Sequence, residues 1–242
     1  MNETKYMLLK PLTVNVDFSS LALHIGNCKI ERVGKECKEK SFKFVGHWLD
    51  DKLSWDFHIQ HVAAKLASSN YAIAKCKNTL PQNILVTLYN SIFKPHLEYG
   101  ITVWGATYRG KIDRIVKLQK KCLRSIAGKN MRYHTEPLFK ALNLLKFNDL
   151  YTLNAACFMH KYHYKNLPNA FHNYLTPCPA GQILITRRHN YKIDVSRSNM
   201  LANLPSVKLP GVWNSLKPEL KSIGSHASFK SEVKDMLIHK YS

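Results

Sequence analysis

The hydrophobic period of this 242-residue chain changes once, near Ser54, and that change constrains its architecture more than any other feature. Before it, apolar residues alternate. Leu12, Val14, Val16 and Phe18 are separated by Thr13, Asn15 and Asp17. Leu21, Leu23 and Ile25 repeat the pattern up to Gly26-Asn27, and Phe42 and Phe44 flank Lys43 before Val45-Gly46. A period of two predicts strands, here a small antiparallel β-meander with the charged stretch 34–40 as a loop. After Ser54, a candidate N-cap with Asp56 in the first turn, the period becomes helical. Trp55, Ile59, Val62, Ala63 and Leu66 form one stripe. Pro81 suits the start of a second helix with Ile84, Leu85, Leu88, Ile92 and Phe93 on its stripe, which Pro95 ends or kinks. A third helix is predicted over about 111–127. A fourth is capped by Asn148, carries Tyr151, Ala155, Phe158 and Tyr162, and is closed by Pro168. Residues 166–227 look loop-rich, and Ser228 is expected to cap a last helix bearing Phe229, Val233, Met236 and Leu237. The predicted class is α+β, mainly α.

With 45% hydrophobic residues the chain can bury a core, which excludes wholesale disorder. The longest apolar run is Ala155 to Met159. A membrane span needs about 20 residues, so none is expected, nor is a signal peptide over the short run Tyr6 to Leu9. The expected location is intracellular, cytoplasmic or nuclear. There the six cysteines, none in a Cys-Xaa-Xaa-Cys pair, are expected to be reduced.

The formal charge is +20, and it is unevenly spread. Residues 1–60 carry 9 Lys/Arg against 8 Asp/Glu, and residues 61–242 carry 27 against 8. Such a field attracts polyanions, nucleic acid first. It is sharpest on the third helix. With Arg114 at zero and about 100° per residue, Lys121, Lys117, Arg124 and Lys120 fall at about 340°, 300°, 280° and 240°, opposite Ile115, Ile126, Ile112, Leu123 and Val116 at about 100–200°. This face is expected to hold five cations and no acid. Cations without counter-charges repel one another, and a phosphate backbone would relieve that repulsion. Lys65 and Lys75 on the first helix are further candidates.

Catalytic patterns are not readable. Asp50-Asp51 is expected to lie in a turn before the first helix, because adjacent carboxylates do not share a face in a strand. Cys157, His160 and His163, with Cys178, lack the tight paired spacing of zinc ligands and read as a core thiol beside two surface histidines. Gly100 to Gly105 lacks the Lys-Ser/Thr that completes a P-loop. No catalytic residue and no metal ligand is assigned.

Several short motifs follow one another in an order that resembles the reverse transcriptases of non-LTR (LINE-like) retrotransposons, of the jockey and related clades. They are Phe44-Val-Gly-His-Trp-Leu-Asp-Asp-Lys-Leu-Ser-Trp55 with His58-Ile59; Leu80-Pro81; Leu88-Tyr-Asn-Ser91; Pro95-His-Leu-Glu-Tyr-Gly100; Trp104-Gly105; and Leu118-Gln-Lys-Lys121. His134-Thr-Glu-Pro-Leu-Phe139, Lys146-Phe-Asn-Asp-Leu-Tyr151, Thr186-Arg-Arg-His-Asn-Tyr191, Trp213-Asn-Ser-Leu216 and Ser228-Phe-Lys230 continue the series. The resemblance implies three parts: residual palm strands over 1–50, a helical thumb-like domain over 51–128, and a helical, basic C-terminal region over 129–242. It implies that Phe44, Val45 and Gly46 form a primer-grip-like hairpin, and that Glu3 stands where the family has a lysine. It also implies that the catalytic Asp-Asp motif, and the Mg²⁺ it would hold, belong to the complete parent polymerase and not to this chain. The chain alone is then expected to be an inactive fragment whose partners are RNA or RNA–DNA hybrid, held by the phosphate backbone, and the missing palm and fingers. No membrane and no small-molecule substrate is expected. The alternative is a domesticated, standalone basic nucleic-acid-binding or scaffold protein without catalysis.

Overall fold

The computed structural model describes residues 4–9, 21–33, 40–178, 190–193 and 202–241. The strand expected over Leu12 to Phe18, the position of Glu3, most of the loop 34–40 and the motif residues Thr186 to His189 lie outside the described residues. The fold is α+β and mainly helical, with small sheets near the N-terminus followed by helices. Two compact units are formed, residues 1–61 and 62–242.

The first unit contains two small sheets. β2 (Leu23–Ile25) and β3 (Cys28–Arg32) form a hairpin about Gly26-Asn27, as the alternation predicts. β1 (Lys5–Tyr6) pairs with β3 in parallel, giving the order β1-β3-β2. The arrangement is therefore not a simple antiparallel meander. A two-residue strand has no period to read, and its partner choice is set by tertiary contacts such as the Tyr6 hydroxyl donating to the Leu21 carbonyl at 2.9 Å. β4 (Phe42–Phe44) and β5 (His47–Leu49) form a separate hairpin. Its two-residue turn, Val45-Gly46, has φ of 43° and 79°. Positive φ at both positions makes a right-twisted hairpin close tightly.

Asp50-Asp51 does lie in a turn. Asp50 is buried, its carboxylate accepts the Ser54 N–H at 2.9 Å, and its carbonyl accepts the Leu53 N–H at 3.0 Å. Ser54 Oγ in turn accepts the Asp56 N–H at 3.3 Å, at the start of α1 (Asp56–Cys76).

His58, near the start of α1, is buried beside the hairpin. Its Nδ1 faces the Trp48 N–H at 3.5 Å, and its ring lies 4.9 Å from that of His47. Burial, then the neighbouring His47 and His61, lower its pKa from 6.5 to about 4. The folded unit thus holds a neutral imidazole where the unfolded chain would protonate, so stability present above pH 6.5 is lost as pH falls toward 4. The fall from 6.5 to about 4 corresponds to about 3.5 kcal/mol at about 1.4 kcal/mol per pH unit, and solvent screening around this thinly covered ring brings the expected loss to about 1–2 kcal/mol. Acid titration followed by the Trp48 indole NMR signal is expected to show the hairpin loosening in that window. The His58→Phe chain is expected to lose that part of the acid response.

The second unit is built around α7 (Phe147–His163), a central helix with Leu150, Leu153, Ala155, Ala156 and Met159 buried. It packs on α3 (Lys94–Glu98), α4 (Ile101–Trp104), α5 (Arg109–Ile126), α8 (Pro205–Ser215) and α10 (His226–His239), and α6 (Glu136–Ala141) packs on α5 and α10. Residues 166–227 are more helical than expected: α8 runs for 11 residues around an internal proline, Pro210, and α9 (Pro218–Lys221) follows. The Asn214 side chain accepts the N–H groups of Asn190 and Tyr191 at 3.0 and 3.3 Å and donates to the Tyr191 carbonyl at 2.8 Å. Two of the ordered motifs are thereby clasped together.

The caps expected at Asn148 and Ser228 are displaced. α10 is capped by Ser225, which accepts the Ser228 N–H, so Ser228 is inside the helix. α7 begins at Phe147 rather than after Asn148, and the Gln119 side chain of α5 accepts the Phe147 N–H at 3.0 Å.

The second helix also differs from its expected stripe. α2 (Gln82–Leu88) runs into a π-helical turn, Tyr89–Phe93, before α3. The buried line is Leu85, Tyr89, Phe93 and Leu97, while Ile84 and Ile92 are exposed. A wider turn rotates the face by about one residue and accommodates Pro95, which has no N–H to continue an α-ladder. At Trp104-Gly105, Trp104 is fully buried. A methyl group on Gly105 would meet the Ile101 carbonyl at 2.5 Å and the Tyr151 ring at 3.0 Å, so α4 can lie against α7 only with glycine there.

Candidate nucleic-acid interface

α5 buries Ile112, Ile115, Cys122, Leu123 and Ile126, which leaves its opposite side to solvent. Arg114, Lys117, Lys120 and Lys121 are exposed along that side. Arg124 differs: it is half-buried, and its Nε donates to the Tyr133 carbonyl at 2.9 Å. The row is also not free of acid. Asp113, exposed and four residues before Lys117, falls at about 260° on the same wheel, inside the basic arc. The face therefore presents four exposed cations, one anchored arginine and one carboxylate that can support Lys117.

A residue inside the apolar arc escaped sequence reasoning. Gln119 is fully buried, and its Nε2 donates to the Tyr89 hydroxyl and the Leu145 carbonyl, each at 2.9 Å, while its Oε1 accepts from Phe147. One amide thus ties α5 to the π-turn and to the start of α7. The signal that could have found it is its place on the wheel, at about 140° among the aliphatic residues. Asn70 of α1, also buried, donates to the Leu118 carbonyl at 2.9 Å.

α5 ends in a Schellman turn: Gly128, at φ 62°, donates to Ser125 O at 3.3 Å, and Lys129 donates to Arg124 O at 2.9 Å. Nothing lies within 4 Å of where a Cβ would sit. Gly128→Ala is therefore expected to cost only its backbone strain, about 1 kcal/mol in thermal or urea unfolding. Beyond the turn, Lys146 pairs with Glu136 and lies 4.2 Å from the Tyr241 ring centroid. The Lys146 ammonium is the main cause holding the Glu136 carboxyl below its usual range, with smaller effects from His134 and Lys120.

Lys65 and Lys75 are exposed on α1. Lys65 stands near His96, whose pKa is lowered by burial and then by that lysine, and Lys75 lies over the Tyr71 ring at 5.4 Å. In the first unit, Phe44 and Val45 are 61% and 68% exposed at the hairpin tip beside Gly46.

The histidines of α7 do not form a metal centre. His160 is fully buried, not on the surface, and donates Nε2–H to the Ile223 carbonyl at 2.7 Å between Tyr164 and Phe229. His163 reaches the Tyr191 hydroxyl at 3.0 Å. Among the described residues no three metal-ligating side chains converge, and none of the described helices is long and apolar enough to cross a membrane.

Comparison with known proteins finds similarity, over a little under half of this chain, to RNA-directed DNA polymerases of a mobile element. Over 114 residues the chain is 32% identical to the RNA-directed DNA polymerase from mobile element jockey of Drosophila melanogaster, a match covering 46% of this chain and 12% of that protein. The corresponding polymerase of Drosophila funebris is 31% identical over 112 residues, 45% of this chain and 12% of its own length. No family model matches, and no solved structure matches.

Proposed function

We propose that this chain is a non-catalytic, thumb-like region of a LINE-like RNA-directed DNA polymerase that grips RNA–DNA hybrid through its phosphates. The observation that carries the reading is the exposed row Arg114, Lys117, Lys120 and Lys121 on a helix whose other side is buried. Contacts of that kind follow backbone shape and charge and carry little sequence information. Arg124 fixes the end of the row, and Lys65 and Lys75 are secondary contacts. Residues 1–50 act as palm strands, with Phe44, Val45 and Gly46 as the primer-grip-like tip; 51–128 act as the thumb, and 129–242 as the region behind it. The Asp50 carboxylate is buried and accepts the Ser54 N–H, and we assign the Mg²⁺-binding carboxylates to another part of the parent polymerase.

A domesticated, self-contained basic module is the alternative. Leu23, Ile25, Phe42 and Phe44, all exposed on the described strands, favour the polymerase reading, because a self-contained module would be expected to cover such a surface. The test is fluorescence anisotropy of the chain with a labelled RNA–DNA hybrid across a salt series. Salt-sensitive binding that depends on the α5 row supports the proposal. Binding that follows total charge alone overturns it.

A further inference from the structure

We propose that the loop Lys129–His134 is a stacking element for an unpaired nucleobase, placed at the end of the α5 cation row. The inference rests on the nucleic-acid reading above and adds a ligand class to it: a single strand leaving a duplex. The Schellman turn at Gly128 directs the chain off the helix and into a turn, where Tyr133 N–H donates to Asn130 O at 3.2 Å and Arg132 N–H donates to Asn130 Oδ1 at 3.2 Å. Met131 stands at its tip, 63% exposed, and Tyr133 follows, 38% exposed. Lys129 Nζ lies 5.2 Å from the Tyr133 ring centroid, and Arg124 holds the Tyr133 carbonyl, so the ring and the cation row share one support.

The surroundings select the occupant. Residues 114–135 contain seven Lys/Arg and no Asp/Glu. An apolar protein partner would gain nothing from that density of positive charge, whereas a nucleotide offers both halves. Its phosphates meet Lys129, Arg132 and Lys121, and its flat, polarisable base lies against the thioether and the phenol. Stacking of this kind tolerates any base and is worth about 5- to 100-fold in affinity per base. Phosphate contact alone does not distinguish a base from an abasic site.

The experiment uses the full chain and three probes: a blunt RNA–DNA hybrid, the same hybrid with a short adenosine overhang, and that overhang made abasic, the last two carrying equal charge. The wild-type chain is expected to bind the adenosine overhang about tenfold more tightly than the abasic one. The Met131→Ser, Tyr133→Ala chain is expected to bind both alike, with its salt slope and unfolding midpoint unchanged, because the Tyr133 carbonyl that anchors Arg124 remains. Equal binding of the two overhangs by the wild-type chain overturns the proposal without recourse to any variant, as does a base preference that survives in the double variant. Failure of the phosphate reading has a different signature: blunt-hybrid binding that is indifferent to salt.

Discussion

Replacing Arg114, Lys117, Lys120 and Lys121 together with Gln is expected to reduce the log–log salt slope of hybrid binding by about 3 to 4 units, at roughly 0.9 per phosphate contact. At 0.1 M salt that corresponds to an affinity about a thousandfold weaker, converging with the wild-type value toward 1 M. Each single change is expected to remove about one unit. Adding Arg124→Gln is expected to change the slope little, because that guanidinium is half-buried and already donates to Tyr133. The fold should persist. All four side chains are exposed, opposite the buried stripe of α5. Removing like charges relieves repulsion, and only the local support between Asp113 and Lys117 is lost, a few tenths of a kcal/mol. The matched control replaces Lys208, Lys217, Lys230 and Lys240, equally exposed and of equal total charge. If the control weakens binding as much as the α5 variant, net charge rather than one face governs affinity, and the specific interface falls.

What could be read from the sequence was whatever is periodic. The amphipathic stripes of α1 and α5, the hairpins at Gly26-Asn27 and Val45-Gly46, and the mainly helical class all follow from spacing alone, since each is repeated several times within one element. What could not be read is set by single contacts between elements. The π-turn Tyr89–Phe93 breaks the 3.6-residue template, so regular spacing puts Ile84 and Ile92 in the core where the structure buries Tyr89 and leaves both isoleucines exposed. The start of α7 is fixed by an amide from α5, and no local rule about caps could place it. His160 looked like a surface residue because its partner, the Ile223 carbonyl, is 63 residues away in the chain. Asp113 is a different matter. Its place in the basic arc followed from the wheel, whereas the anchoring of Arg124 on the Tyr133 carbonyl, which lowers the expected phosphate contacts from five to four, did not.

Gln119→Leu is expected to destabilise the second unit by about 4 kcal/mol, the largest single-residue effect anticipated here. The volumes are similar, so no sizeable cavity forms and the cost is polar. The Phe147 N–H loses its acceptor, and the Leu145 carbonyl and the Tyr89 hydroxyl lose their donor, in surroundings where Phe147 and Tyr89 are about 1% exposed. Each buried polar group left without a partner costs about 1–3 kcal/mol, and some relaxation of the carbonyl brings the total below the simple sum. Against a typical stability of about 5–15 kcal/mol, urea unfolding should shift its midpoint by about 2 M at a slope near 2 kcal/mol/M. A second substitution separates hydrogen bonding from packing. Tyr89→Phe in the wild-type chain removes a bonded hydroxyl and should cost about 1 kcal/mol. In the Gln119→Leu chain it removes an orphaned one and should restore about that much. A double-mutant cycle that closes additively would show that Gln119 acts through its shape, and that the tie between α5, the π-turn and α7 is not a hydrogen-bond network.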